Sequence, residues 1–382
     1  MFLALLEIAL RILQPAIGQR NERISPFGAR YLPHTIAINE REHRVRDRIN
    51  NVGYHDREFD FDLSPEVRRI GFFGDSFVEA MQVEADSTFA SRFEDRARAA
   101  GIALEAAAFG ISGSGADQSL FRCLHAMQQA RFDDVVYVFF WNDFFDGSEE
   151  SAKPTTWPFL KRGASGASYF SGAFQHDREL RGFAAGARSV LSRFYLPSLV
   201  SYRLFVARTR RNVEASPERP DDARALGLFA LGDSIPPGHR AARDHWEDVM
   251  RHWRDVARAN GTVFRVLYMP GKWETDDSTY AATFGAGGAI PRFGISSWMA
   301  AFCEREGIEF LDPTNAFLAA SEGRGRDLYW GHLNYAGHRA LADFLFDALA
   351  LGSAGAAATA PDAREAAARV GAETSAAEAA PR

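Results

Sequence analysis

The stretch Arg68-Arg69-Ile70-Gly71-Phe72-Phe73-Gly74-Asp75-Ser76-Phe77 decides how the rest of the chain is read. Arg69 to Gly74 is a short apolar run closed by a tight turn, which suits a buried strand. A serine hydroxyl follows within two residues. A turn between strand and helix would expose that hydroxyl at the carboxyl edge of a sheet, where open α/β folds bind ligands. The helix start there also offers backbone N–H groups to developing negative charge. Taken alone, Gly74-Asp75-Ser76 reads more readily as an ordinary helix N-cap.

Outward from this segment the strand–helix alternation continues. Ala90 to Ala100 reads as a helix ending near Gly101, Ala103 to Phe109 as a second strand, and Ala116 to Ala130 as a helix. Asp134 to Phe140 (DVVYVFF) is the clearest strand, β-branched and aromatic throughout, as expected for one buried on both faces. Trp246, Val249, Met250, Trp253, Val256 and Ala257 share one helical face, with Gly261 as its stop. Val263 to Met269 and Ile308 to Leu311 read as strands, Ser296 to Glu306 and Tyr335 to Leu351 as helices. Strands alternating with helices predict βαβ units and a parallel sheet of about five strands in a three-layer α/β/α sandwich.

Three regions fall outside this rhythm. Met1 to Leu13 (MFLALLEIALRIL) is apolar apart from Glu7 and Arg11 and is closed by Pro15. At this length it falls short of the roughly 20 residues of a spanning helix, and no small-residue cleavage site follows it. The run, residues 1–15, is expected to be a helix lying on a membrane, the tail of a longer anchor, or a helix packed on the domain. Residues 14 to 66 read as an irregular lead-in to a domain spanning 16–351. Residues 150–239 read as an insertion with helical stretches at Phe183 to Arg193 and Leu199 to Thr209 and a polar spacer at Arg210 to Asp222. It would cover the sheet or shape a cleft. The Ala-rich residues 352–382 read as a disordered tail.

Composition narrows the classes. With 46% apolar, 25% charged and 13% aromatic residues the chain can build a sizeable core, and a net charge of −6 argues against a general nucleic-acid binder. Cys123 and Cys303 fall in expected helices and read as buried thiols. The ten histidines are scattered without ligand spacing, so neither a metal nor another cofactor is expected.

Three more blocks follow sheet elements. Phe109-Gly110-Ile111-Ser112-Gly113-Ser114-Gly115 would let a backbone N–H approach a ligand. Trp141-Asn142-Asp143 ends the strongest strand and offers an amide donor. Gly331-His332-Leu333-Asn334-Tyr335-Ala336-Gly337-His338 precedes the last helix. From there His332 can reach the sheet edge, whereas His338 would pack or face solvent. Asp75 and Asp143, which abut these motifs, read as fixing their turns through side-chain to backbone hydrogen bonds.

In the order Ser, Gly, Asn, His these blocks resemble those of the SGNH (GDSL-like) hydrolase superfamily. The resemblance implies a flavodoxin-like SGNH fold with Ser76 as nucleophile and His332 as general base. The oxyanion donors would be the N–H of Ser76, Gly113 (Gly115 as fallback) and Asn142. Asn51-Val52-Gly53-Tyr54 with Asp56, Met269-Pro270-Gly271-Lys272 and Phe310-Leu311-Asp312-Pro313 are similar to segments of bacterial, often envelope-associated members. The match covers roughly residues 50–150 and 240–350.

The family's usual Asp two or three residues before the histidine is missing, since Trp330 and Tyr329 stand there. Asp327 is expected to orient the imidazole, with Asp312 second, unless a backbone carbonyl holds the ring and the pair works as a dyad. Asp75, Trp141 and Trp330 are expected to meet substrate. The resemblance implies a serine esterase acting on a carbohydrate acetyl or similar ester in the cell envelope, membrane-associated or periplasmic, or otherwise in the cytoplasm. O-acetyl transfer to an envelope polysaccharide and a non-catalytic glycan binder are the alternatives.

Overall fold

A computed structural model of the chain describes residues 2–13, 21–24, 28–31, 33–146, 158–163, 168–171, 237–284, 291–321 and 327–351, with a few positions between 194 and 204. Five strands form one parallel sheet: β1 (Arg68–Gly74), β2 (Leu104–Gly110), β3 (Asp134–Phe139), β4 (Val263–Tyr268) and β5 (Glu309–Leu311). Their spatial order is β2-β1-β3-β4-β5. This is the doubly wound, flavodoxin-like order, whose direction of winding reverses between β1 and β3. Ligands bind in such sheets outside the carboxyl ends of those two strands. Ser76 and Asn142 lie just past those two ends.

Side-chain alternation along the strands builds the two outer layers. Ile70, Phe72, Ala106, Ala108, Val136, Val138, Leu267 and Leu311 face one core, packed on Phe89, Ala90, Phe93 and Ala97 of α1 (Phe89–Ala99). Phe73, Ala107, Phe109, Val135, Tyr137, Phe139, Val266 and Tyr268 face the other. That second core takes residues from α2 (Ala116–Gln129), α3 (Pro237–Ala259) and α4 (Gly294–Glu306). α5 (Tyr335–Leu345) returns to the first side through Leu341, Ala342 and Leu345. The expected three-layer sandwich is therefore present. Rings carry much of the packing, as in the parallel stack of Phe73 on Phe109 at 4.8 Å and the edge-to-face pair of Phe72 and Phe89 at 5.2 Å.

The lead-in is more ordered than its composition suggests. Asn21–Ile24 pairs antiparallel with Gly28–Tyr31, and Ile36–Asn39 with Val45–Arg48. The second hairpin is held by buried Ala37, Ile38 and Val45. Its Asp47 Oδ2 accepts from the Ala85 N–H at 2.5 Å and lies 3.2 Å from His55 Nε2. Charged residues Glu40 to Arg44 form its tip.

In the insertion, Phe159–Arg162 pairs with Ser168–Ser171, and this hairpin sits on α2. Leu160 N–H donates to Asp117 at 2.7 Å, and the rings of Phe121 and Phe170 meet at 4.9 Å. The expected helix at 183–193, the spacer at 210–222 and the tail 352–382 lie outside the described residues. Cys123 and Cys303 are buried free thiols. The N-terminal helix Phe2–Leu13 has 12 residues; among the described residues no helix is long and apolar enough to cross a membrane.

Candidate active site

The turn after β1 is built so that its serine stays available. Asp75, not Ser76, caps the helical turn Ser76–Glu79, its Oδ1 accepting from Phe77 N–H at 2.9 Å. The Ser76 hydroxyl is thereby left free of cap duty. It lies 2.8 Å from His332 Nε2 and 3.3 Å from Asp75 Oδ2. Asp75 itself is 0% exposed, so the expectation that it meets substrate is corrected: the residue lies under the turn it caps.

His332 comes from a tight loop. Tyr329 and Leu333 form an isolated antiparallel bridge, and Trp330 N–H donates to His332 O at 2.8 Å. Asn334 then starts α5 by accepting from Ala336 N–H at 2.8 Å and Gly337 N–H at 3.1 Å. The Phe77 ring packs 4.9 Å from the imidazole. Of the two places open to His338, packing or solvent, it takes the first: it is buried and accepts at Nδ1 from Phe89 N–H at 3.1 Å. Burial drives its pKa down to about 3, so it stays neutral.

The group that orients His332 is not Asp327. Glu42, at the hairpin tip 290 residues earlier, places Oε1 2.5 Å from His332 Nδ1. Its Oε2 accepts from the backbone N–H of His332 at 2.8 Å and of Gly331 at 3.2 Å. Asp327 instead pairs with Lys272 Nζ at 2.6 Å and caps Tyr329 N–H at 3.0 Å. The Tyr329–Leu333 bridge folds the loop so that His332 sits at its tip and Asp327 at its outer stem. Asp312 caps Thr314 N–H at 2.9 Å and is likewise engaged elsewhere. Asp327→Ala should therefore change kcat by less than about threefold, because an exposed ion pair contributes only about 0–1 kcal/mol. Steady-state kinetics on p-nitrophenyl acetate checks this; a fall of a hundredfold would return Asp327 to the site.

Electrostatics follow this geometry. Burial opposes a charge on His332, but the Glu42 hydrogen bond and charge, helped by Asp75 and Glu79, outweigh it and raise the pKa above 6.5. For Glu42, burial pushes upward and the hydrogen bonds from His332 pull harder, so its pKa lies below 4.5. Together these describe a carboxylate poised against an imidazole that gains stability when protonated.

Two blocks complete the cleft. Gly110 pairs with Gly74 in the sheet, and a Cβ on it would lie 2.0 Å from Glu79 N, so only glycine lets the two turns touch. The loop then adopts φ +73° at Gly113, a conformation that disfavours side chains. Asn142 directs Nδ2 toward Asp75 Oδ2 at 3.3 Å, which sets its amide beside the turn that carries Ser76. Asp143 holds that turn by accepting from Tyr137 O–H at 2.6 Å and Phe140 N–H at 3.2 Å. Trp141 packs edge-on against Trp273 at 5.8 Å and is only partly exposed. Trp330, by contrast, is 42% exposed, stacked on His43 at 4.8 Å and edge-on to Tyr335 at 5.7 Å.

Two further buried charges were not singled out from the sequence. Arg122 of α2 donates to Gly74 O at 2.8 Å, Phe109 O at 3.3 Å and Ser114 Oγ at 2.9 Å, tying the ends of β1 and β2 together. Glu79 receives donors from the loop after β2. Both are polar residues on otherwise buried faces, and that conflict with the hydrophobic pattern was the available signal.

No family model matches the chain, and no curated protein does. Solved structures similar to it include TesA (11% identity, TM-score 0.39, covering 74% of this chain and 98% of that one). Another is the acetyl xylan esterase AlAXEase (13%, 0.38, 74% and 99%). A third is a lipolytic G-D-S-L family protein from Veillonella parvula DSM 2008 (10%, 0.38, 74% and 99%).

Proposed function

We propose that the protein is a serine ester hydrolase of the SGNH type, with Ser76 as nucleophile, His332 as general base and Glu42 as the group that orients His332. The observation that carries this is the continuous pair of contacts from Ser76 Oγ to His332 Nε2 at 2.8 Å and from His332 Nδ1 to Glu42 at 2.5 Å. A hydroxyl is a weak nucleophile until a base in hydrogen-bond reach takes its proton, and the base works only in the tautomer that its third partner holds.

In this reading His332 removes the Ser76 proton as Oγ attacks the ester carbonyl. The N–H groups of Ser76 and Gly113 and the Asn142 amide receive the oxyanion; one such donor contributes about 10²–10³ in kcat. His332 then protonates the departing alcohol, leaving an acyl-Ser76. It next takes a proton from water, whose attack on the acyl carbonyl releases the acid and restores Ser76.

A carbohydrate acetyl ester is the substrate class we favour. The exposed Trp330 ring, fixed against His43 and Tyr335 two residues from His332, supports it, because sugar rings stack on such faces. Phe2, Leu3, Leu5 and Ile8 each expose more than half of their surface on the N-terminal helix, which suits contact with a membrane surface in the cell envelope.

Labelling tests the nucleophile directly. A fluorophosphonate is expected to lose fluoride to one serine per chain, with the adduct on the Ser76 peptide by mass spectrometry. Hydrolysis of p-nitrophenyl acetate should fall in parallel. Full labelling on another serine, or hydrolysis that survives complete labelling of Ser76, would sink the proposal.

A further inference from the structure

Glu79 is a buried carboxylate, 4% exposed, at the end of the same helical turn that begins with Ser76. Its charge adds to the field at His332, but the hydrogen bonds of its carboxylate go elsewhere than to Ser76, His332 or Glu42. Three donors from two distant segments converge on it. Ser112 N–H donates to Oε1 at 3.1 Å, the Ser112 hydroxyl donates to Oε2, and the Tyr31 hydroxyl donates to Oε1. The Glu79 carbonyl is engaged too, 2.9 Å from His55 Nδ1.

The position of this cluster matters. Ser112 immediately precedes Gly113, so the amide between them carries the Gly113 N–H. Ser112 is itself solvent-exposed, and its loop spans only a few residues between β2 and α2. Ile111 anchors one end of this loop in the core, whereas the exposed Ser112 that follows it is held by its hydrogen bonds. Here both a backbone and a side-chain bond of one residue end on one carboxylate. That carboxylate lies three residues from the nucleophile, on a turn packed so closely against Gly110 that no Cβ fits between them.

We propose that Glu79 is a positioning residue for the ester hydrolysis. It clamps the Ile111–Gly113 segment so that the Gly113 N–H stays at a constant place relative to Ser76 Oγ, and Tyr31 braces the clamp from the lead-in. This rests on the serine hydrolase reading given above. Glu79 moves no proton and touches no substrate; its effect is on geometry that matters when charge reaches the oxyanion. Losing it should therefore lower kcat with little change in KM.

Glu79→Ala removes all three acceptor contacts. Its kcat on p-nitrophenyl acetate, per site titrated with fluorophosphonate, is expected to fall by about 10²-fold, the scale of one displaced oxyanion donor. KM should stay within about threefold of wild type. Glu79→Gln is the conservative rescue. Its Oε1 can still accept from Ser112 N–H and Tyr31 O–H, while its amide donates to the rotatable Ser112 hydroxyl. This variant should keep kcat within about fivefold of wild type, because every hydrogen bond is preserved.

In the Glu79→Ala background, Ser112→Ala should add almost nothing, since the Ser112 hydroxyl has already lost the carboxylate it donated to. An unchanged kcat per titrated site in Glu79→Ala overturns the proposal. So does a Glu79→Gln variant as impaired as Glu79→Ala. Should Glu79→Ala not fold, Ser112→Ala alone decides. A fall in kcat of about tenfold supports the clamp, at the scale of one lost hydrogen bond, and no fall overturns it. A wild type without Ser76-dependent hydrolysis would instead overturn the hydrolase reading itself, so the two failures are separable.

Discussion

Ser76→Ala is expected to reduce hydrolysis of p-nitrophenyl acetate to the level set by binding and oxyanion stabilisation alone. In serine hydrolases that use a hydroxyl, a base and an orienting carboxylate as one unit, removing the nucleophile lowers kcat by roughly 10⁶-fold, and the residue that remains exceeds water by about 10³–10⁴. The fold should not suffer. Ser76 does not cap its own turn, Asp75 does, and the Ser76 side chain is partly exposed. Its thermal midpoint should stay within about 2 °C of wild type, the change that accompanies a surface substitution of a few tenths of a kcal/mol. Circular dichroism melting alongside the kinetics checks both halves. A variant that melts like wild type yet still hydrolyses the ester at a tenth of its rate would remove Ser76 from the mechanism.

Glu42→Gln is expected to cost nearly as much, and for a reason visible in its contacts. Oε2 of Glu42 accepts two backbone N–H groups, from His332 and Gly331, while Oε1 faces His332 Nδ1. A glutamine has one acceptor oxygen. If that oxygen stays on the two backbone donors, its NH₂ group faces Nδ1 and favours the tautomer with the proton on Nε2. That imidazole cannot accept the Ser76 proton. If the oxygen turns to Nδ1 instead, the NH₂ is driven against two N–H groups. The corresponding change in the serine-protease template lowers kcat by about 10⁴-fold, and a loss of 10³–10⁴ is expected here.

The pH profile should move as well. Neutral His332 is the active form, so in the wild type kcat/KM falls as pH drops through a pKa raised above 6.5. The glutamine variant loses the Glu42 charge that raises it and keeps the burial that lowers it. Its acidic limb should therefore shift to lower pH, on a much reduced plateau. A variant with wild-type kcat and an unmoved limb would show that Glu42 does not serve His332.

These two residues mark the boundary of what could be read in advance. Ser76, Gly113, Asn142 and His332 each follow a sheet element or precede a helix, and such positions are announced locally by an apolar run that stops at a glycine or turn. The strands were legible for the same reason. Arg68–Gly74 and Asp134–Phe139 are buried on both faces, so their apolar character is continuous and independent of any partner. Glu42 had no such signal. Its hairpin has two strands of four residues, its tip is the charged run Glu40 to Arg44, and several acidic residues lie close by. Asp327, near His332 in the chain, was the natural choice.

The amino-acid sequence by itself determined the layered α/β architecture, the helices and strands that alternate through it, and the four blocks at the sheet's edge. Hydrophobic periodicity and turn chemistry are properties of neighbouring residues, and they act before distant parts of the chain meet. Only the tertiary structure decided which carboxylate stands behind His332, that Asp327 turns outward to Lys272, and that Glu79 holds the loop before Gly113. Those outcomes depend on which charged groups are brought within 3 Å or so after the sheet has closed. At that range a hydrogen bond to a charged group is worth about 1.5–3 kcal/mol, and a residue's place in the chain says almost nothing about its partner.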